Sequence, residues 1–266
     1  MSKMDLTQEL KSYITGLGPD LVGIAPVERF SQAPPGHHPE DILPQAKNVV
    51  VFAMRLLEST FASPNSRPWV MRYWQLRSRL QDIGYDVSKY LEDKGYYALN
   101  LPSTAPMDSG PESRLLFADF SYRHAGWLAG LGEIGYNSLL VTPQYGPRVW
   151  LMAVLTSAPL SPDPMLAGEV CPKGKCNICV EKCPQQALSP QGINRARCVR
   201  SPGEYGLYGT LNHIRNIVNE TDPEKRNEML FGPDTWGIWM HLQYGGGPSR
   251  CRVCLESCPV GKRTLH

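Results

Sequence analysis

All eight cysteines of this 266-residue chain lie between positions 171 and 258. They read Cys171-x4-Cys176-x2-Cys179-x3-Cys183-Pro184, then Cys198, then Cys251-x2-Cys254-x3-Cys258-Pro259. Thiolate is the ligand that iron–sulfur cubanes take, four to a cluster. A C-x2-C turn lets two thiolates bind different irons of one cubane. The cysteine that precedes proline then falls too far round the turn for that cluster and serves a second one. Eight thiolates match two 4Fe-4S clusters. Zinc knuckles are the competing reading, because each C-x2-C pair is able to open a four-cysteine zinc site. Zinc gives no reason, however, for two Cys-Pro endings. Disulfides belong to oxidising compartments, and no secretion signal is present.

Composition narrows the class. Hydrophobic residues make up 42% and charged residues 20%, as in an ordinary globular protein, and the formal net charge is only +2. No general basic field is available to capture nucleic acid or an acidic membrane, so neither is expected as a partner. The start, MSKMDLTQELKSY, is polar and amphipathic, without an apolar signal stretch or twin arginine. The apolar-rich segments 48–57 and 149–160 are too short to span a bilayer. With thiolates kept reduced, the expected address is the cytoplasm.

The elements that must position the cysteines follow from periodicity. Leu6, Leu10, Tyr13 and Leu17 make a helical stripe that ends at Gly18. DLVGIAPV (20–27) and NVVVFAM (48–54) read as buried strands around a Pro-rich loop. A long amphipathic helix is expected over 69–94, a strand over 96–101, a helix over 119–131 and a strand over 149–156. This alternation predicts a layered α/β core in residues 1–160. SAPLSPDP (157–164) reads as the link to a cluster domain in residues 161–266, where 183–198 frames a short hairpin. Helices are expected at 206–218 and 223–230. Trp236, Trp239, Met240 and Tyr244 read as core or pocket lining. Lys173, Lys175, Lys182 and Arg197 read as solvated charges around the thiols.

Residues 129–160 read AGLGEIGYNSLLVTPQYGPRVWLMAVLTSAPL. Gly130, Gly132 and Gly135 form G-x-G-x-x-G, but here it follows a helix and leads into a strand, the reverse of a dinucleotide fingerprint. The glycines are better suited to close approach by a flat ligand or another chain segment.

The run GLGEIGYNSLLVTPQYGPR, with VLTSAPL and two ferredoxin-type cysteine sets behind it, closely resembles the cobalamin-dependent reductive dehalogenases. It resembles the epoxyqueuosine reductases less closely, although LTQELKSYITGLGPDLVGIAPV and HPEDILPQAKNVVVFAM look like their opening. The resemblance implies a mixed α/β (α+β) fold, with a nitroreductase-like corrinoid-binding domain followed by a two-cluster ferredoxin-like domain. It further implies base-off cobalamin, a small organic substrate, and a low-potential electron donor such as ferredoxin or flavodoxin. No D-x-H-x-x-G occurs, which agrees with base-off binding. By the crossed ferredoxin pattern, one cluster would take Cys171, Cys176, Cys179 and Cys258. The other would take Cys183, Cys198, Cys251 and Cys254.

Asp119, Tyr122 and Arg123 lie where the resembled enzymes place a proton donor, with Arg123 expected to favour the ionised donor. Asn137, Ser138, Tyr145 and Arg148, with the three glycines, match the corrinoid-side motif, or else stabilise a tight turn. The sequence departs from the pattern in two places. Four residues separate Cys171 from Cys176 where two are usual. An ungapped alignment on AGLG puts Leu116 where epoxyqueuosine reductases carry their catalytic Asp, with Asp119 three positions on. The chain also ends eight residues after Cys258, short of the tRNA-engaging region of those reductases. Two alternatives therefore stand beside a small-molecule reductase: a non-catalytic electron-transfer or corrinoid-reducing protein, and a tRNA epoxyqueuosine reductase.

Overall fold

The computed structural model describes residues 5–64, 67–101, 118–198, 207–240 and 251–264. Helix α1 (Leu6–Gly16) leads into strand β1 (Leu21–Pro26), and a short helix α2 (Pro39–Ile42) precedes β2 (Asn48–Arg55). Helices α3 (Ser59–Ala62) and α4 (Arg67–Glu92) follow. After them come β3 (Ala98–Asn100), helix α5 (Tyr122–Leu128), the strand pair β4 (Glu133–Ile134) and β5 (Leu140–Val141), and β6 (Val149–Thr156).

The main sheet has the order β1-β2-β6-β3, and every neighbouring pair is antiparallel. The fold is thus mixed α/β with an antiparallel sheet, not a series of parallel crossovers. Strands β2 and β6 pair along their full length, from Asn48 opposite Thr156 to Arg55 opposite Val149. Successive residues of a strand face opposite sides, and both sides here are covered. Val49, Val51, Ala153 and Leu155 pack with Phe30, Phe120, Ala125 and Leu128. Val50, Phe52, Met152 and Val154 pack with Leu10 and Ile14 of α1 and Leu80, Val87 and Leu91 of α4. Each such side chain stabilises by about 1.5–3 kcal/mol when fully buried. Continuous apolar sequence is what a strand buried on both faces requires.

The first helix buries Thr7, Leu10 and Ile14; Leu6, Tyr13 and Leu17 of the expected stripe flank the core. Helix α5 is shorter than the expected 119–131, because Gly130 takes φ 75° just beyond its end. The segment expected as a link is a strap. The Asp163 N–H donates to the Ile24 carbonyl (2.9 Å) and its carboxylate accepts from the Ile24 N–H (2.8 Å), closing the exposed edge of β1. Lys11 pairs with the same carboxylate, and Ala158 and Leu160 are buried.

The rest of the chain holds α6 (Ile178–Glu181), the hairpin β7 (Leu188–Ser189) and β8 (Gly192–Ile193), and α7 (Arg195–Cys198). Then come α8 (Leu207–Asn219), α9 (Pro223–Phe231), α10 (Pro233–Met240) and α11 (Val253–Glu256). Asp222 caps α9 through the Glu224 and Lys225 N–H groups, with Pro223 at its first position. Trp236 (61% exposed), Trp239 and Met240 are exposed, so this stripe is surface where core was expected; Tyr244 and the Gly245–Gly247 run lie outside the described residues. The chain end returns to the first half. Leu255 packs with Leu56, Trp69, Val70 and Leu76, and Arg252 donates to the Thr60 and Ser63 carbonyls. Among the described residues no helix is long and apolar enough to cross a membrane.

Candidate functional site

Thiols far apart in sequence share neighbourhoods. Burial, followed by the charges of Cys171 and Cys258, pushes the Cys179 thiol up to about 11. Burial also raises Cys258, which has Cys171 and Cys176 among its charged neighbours. Cys254 is pushed up to about 12, by burial first and then by the charges of Cys251, Cys198, Cys179 and Cys183. Cys171, Cys176 and Cys179 thus share one neighbourhood with Cys258, and Cys254 shares another with Cys251, Cys198, Cys179 and Cys183. No three or more His, Cys, Asp or Glu among the described residues close on a single metal ion. An all-thiolate donor set is what iron–sulfur cubanes take, and four-cysteine zinc sites use the same ligands. By donor chemistry the residues fit iron–sulfur clusters.

The glycine turn builds the first neighbourhood. Glu133 of β4 accepts a hydrogen bond from the Cys171 N–H, and the Tyr136 hydroxyl accepts one from the Gly174 N–H (3.0 Å). The Lys175 and Cys176 N–H groups both donate to the Pro172 carbonyl, and Gly174 has φ 80°. The two extra residues after Cys171 are therefore taken up in a turn anchored from outside. Sequence reasoning missed Glu133 and Tyr136, although both lie inside the motif it singled out. In the other set, the Cys183 sulfur accepts from the Ala187 N–H at 3.2 Å.

The residues expected at a corrinoid are engaged with the chain itself. A Cβ on Gly130 would lie 2.2 Å from the Pro164 carbonyl oxygen, and one on Gly132 would lie 2.3 Å from that of Val141. Gly135 lies against Val141 and Asn137, with the Cys171 sulfur 3.5 Å from where its Cβ would be. Buried Asn137 accepts from the Leu139 N–H (3.1 Å), and Ser138 takes φ 56°. The Tyr145 N–H donates to Thr142 Oγ1 at 3.1 Å within the turn closed by Thr142 and Gly146. Buried Arg148 donates to the carbonyls of Leu255, Cys258 and Val260. These are the contacts of a tight turn, the alternative role expected of this segment.

Tyr122 and Arg123 begin α5, just after Asp119. Tyr122 is half-buried, packs edge-on to Phe120 and touches both core clusters. Burial first and the Asp119 charge second raise its pKa, so the phenol holds its proton firmly. Arg123 is held by the turn between β4 and β5. Its guanidinium donates to the Ser138 carbonyl. Burial, then the Arg195 charge, lowers its pKa, while the charge of Cys198 opposes the shift. His124 pairs with Ser121 (2.6 Å). Arg123 thus lies within electrostatic reach of Cys198. Leu116 lies outside the described residues.

No family model matches the chain. Over 257 residues it is 25% identical to epoxyqueuosine reductase of Bacillus subtilis (strain 168), covering 88% of this chain and 63% of that one. It is 28% identical to tetrachloroethene reductive dehalogenase of Desulfitobacterium hafniense, over 75% of this chain and 33% of that one. Epoxyqueuosine reductases and reductive dehalogenases are its relatives. The chain spans less than two thirds of the length of either. Among solved structures, epoxyqueuosine reductase with an epoxyqueuosine-modified tRNA stem loop aligns with TM-score 0.59 at 20% identity, over 96% of this chain and 65% of that one. A reductive dehalogenase whose structure suggests a mechanism for B12-dependent dehalogenation also aligns with TM-score 0.59, at 19% identity, over 96% and 39%. The mixed fold is that of both groups, and both relatives are reductases.

Proposed function

We propose that this chain is an iron–sulfur reductase of a small organic substrate, carrying two 4Fe-4S clusters and working in the cytoplasm with a low-potential donor such as ferredoxin or flavodoxin. The observation that carries this reading is the grouping of thiols distant in sequence, above all Cys179 with Cys258 and Cys254 with Cys198. Cysteines 171, 176, 179 and 258 would hold one cluster and cysteines 183, 198, 251 and 254 the other, each supplying one electron at a time. In this reading residues 1–160 form the substrate-side domain and 161–266 the cluster domain. Tyr122 would hold a proton at its phenol oxygen beside the reduced substrate, with Asp119 as the second candidate.

Likeness to a protein of B12-dependent dehalogenation makes base-off cobalamin the cofactor to test. The engagement of Gly130 to Arg148 with the chain's own backbone favours a second reading, a non-catalytic electron-transfer or corrinoid-reducing protein. The first relative named above favours a third, epoxyqueuosine reduction on tRNA. One experiment separates them. Anaerobically reconstituted protein is mixed with cobalamin and a reductant, then offered halogenated organics or epoxyqueuosine-containing tRNA. Turnover of a small organic supports the proposal. Turnover of tRNA alone replaces it with the third reading, and cobalamin reduction without turnover replaces it with the second.

A further inference from the structure

Building on the two-cluster reading, we propose that Arg148 is a positioning residue that seats Cys258 and sets the reduction potential of the cluster Cys258 completes. Arg148 directly precedes β6 and is 2% exposed. Its Nη1 donates to the carbonyls of Leu255 (3.1 Å) and Cys258 (2.9 Å), and its Nη2 donates to that of Val260. These three carbonyls bracket the Cys258-Pro259 step, so one planar guanidinium fixes the backbone that aims the Cys258 sulfur. No other side chain has such a fork of donors in a fixed plane.

Among the described residues the charge has one acidic partner. Glu58, in the loop after β2, brings Oε1 to 3.2 Å from Arg148 Nε, and the same oxygen accepts from the Arg263 N–H at 3.3 Å. Nε itself makes no well-directed hydrogen bond, so the Glu58 contact is electrostatic. A buried ion pair is weak evidence for stability, since desolvation offsets much of its attraction. It is a strong local source of field, because little water screens it. A cluster gains negative charge on reduction. The Arg148 cation therefore favours the reduced cluster, and the Glu58 carboxylate opposes it.

The two charges give the proposal a sign that a structural role lacks. The full chain is reconstituted anaerobically as wild type, Arg148→Gln, Arg148→Lys and Glu58→Gln, and each protein is titrated by potential with paramagnetic resonance of the reduced clusters as readout. Arg148→Gln should move one midpoint to more negative potential and leave the other in place. Glu58→Gln should move the same midpoint the other way, and Arg148→Lys should stay nearer wild type. Shifts of the same sign in Arg148→Gln and Glu58→Gln would overturn the proposal, since both break one ion pair. Unchanged midpoints would overturn it too. If Arg148→Gln loses its iron, Glu58→Gln decides, and no positive shift there rejects the role. Wild type without clusters rejects the two-cluster reading itself, and this proposal with it.

Discussion

Gly146 and Gly261 meet backbone to backbone where the end of the chain docks on the turn before β6. A Cβ on Gly261 would lie 2.4 Å from the Gly146 nitrogen, and one on Gly146 would lie 2.1 Å from the Val260 oxygen. Both residues have positive φ, 60° and 56°. Backbone cannot step aside as a side-chain tip can. Gly261→Ala should therefore cost more than backbone strain alone, which is about 1–3 kcal/mol. Gly174→Ala supplies the control, with φ 80° and nothing within 4 Å of the added carbon. Thermal unfolding of the two variants should show the larger fall in midpoint for Gly261→Ala.

The strap offers a separate test, remote from the thiols. Asp163 accepts from the N–H of fully buried Ile24 and pairs with Lys11. Asp163→Ala leaves that N–H without its acceptor, a loss of about 1–3 kcal/mol. Denaturant unfolding should show a lower midpoint with an unchanged slope, and the cluster content of the folded protein should remain that of wild type.

Much of this was legible in the sequence because it is local. The runs NVVVFAM and VWLMAVLT announce strands covered on both faces, and the stripe of Leu6, Leu10, Tyr13 and Leu17 announces the first helix. What escaped depends on partners far along the chain. That the sheet is antiparallel follows from pairings such as Asn48 with Thr156, which no local pattern reveals. Arg148 and Asn137 have donors and acceptors suited to a ligand edge, yet side-chain type does not say which acceptor lies in front of it. The odd spacing after Cys171 is reconciled only by Tyr136 and Glu133, whose reach across the turn is a matter of packing. The exposed Trp236 and Trp239 mark the limit of reading aromatic stripes as core.

Cysteine reactivity in the metal-free protein should follow burial. Cys254 is pushed up to about 12 by burial and then by the charges of Cys251 and Cys198, whereas Cys198 is exposed. Only the thiolate reacts with an alkylating agent. At about pH 8, Cys254 should therefore be alkylated roughly tenfold or more slowly than Cys198, as peptide mass analysis over time would record. Equal rates would show that Cys254 is not shielded.

Tyr122 carries both a chemical and a pH prediction. If the chain catalyses reduction, Tyr122→Phe should lower turnover by about two to four orders of magnitude, the usual worth of an acid–base group, with cluster content intact. Normal turnover in Tyr122→Phe together with loss in Asp119→Asn would make the carboxylate the acid. Its folded pKa is raised, by burial first and Asp119 second. The unfolded chain thus releases this proton at lower pH than the folded one. The associated stability is present below about pH 10, the unfolded value, and is lost as pH rises beyond it. Tyr122→Phe should flatten that alkaline decline in a series of unfolding measurements.

The central claim is that these eight cysteines hold two four-iron clusters, and metal analysis of the anaerobically reconstituted chain tests it most directly. Two cubanes require about eight irons per chain, with an equal amount of acid-labile sulfide and broad visible charge-transfer absorption that bleaches on reduction. Cys179→Ser and Cys254→Ser should each remove about half of that iron, one from each set. Stoichiometric zinc with no visible absorption would contradict the account.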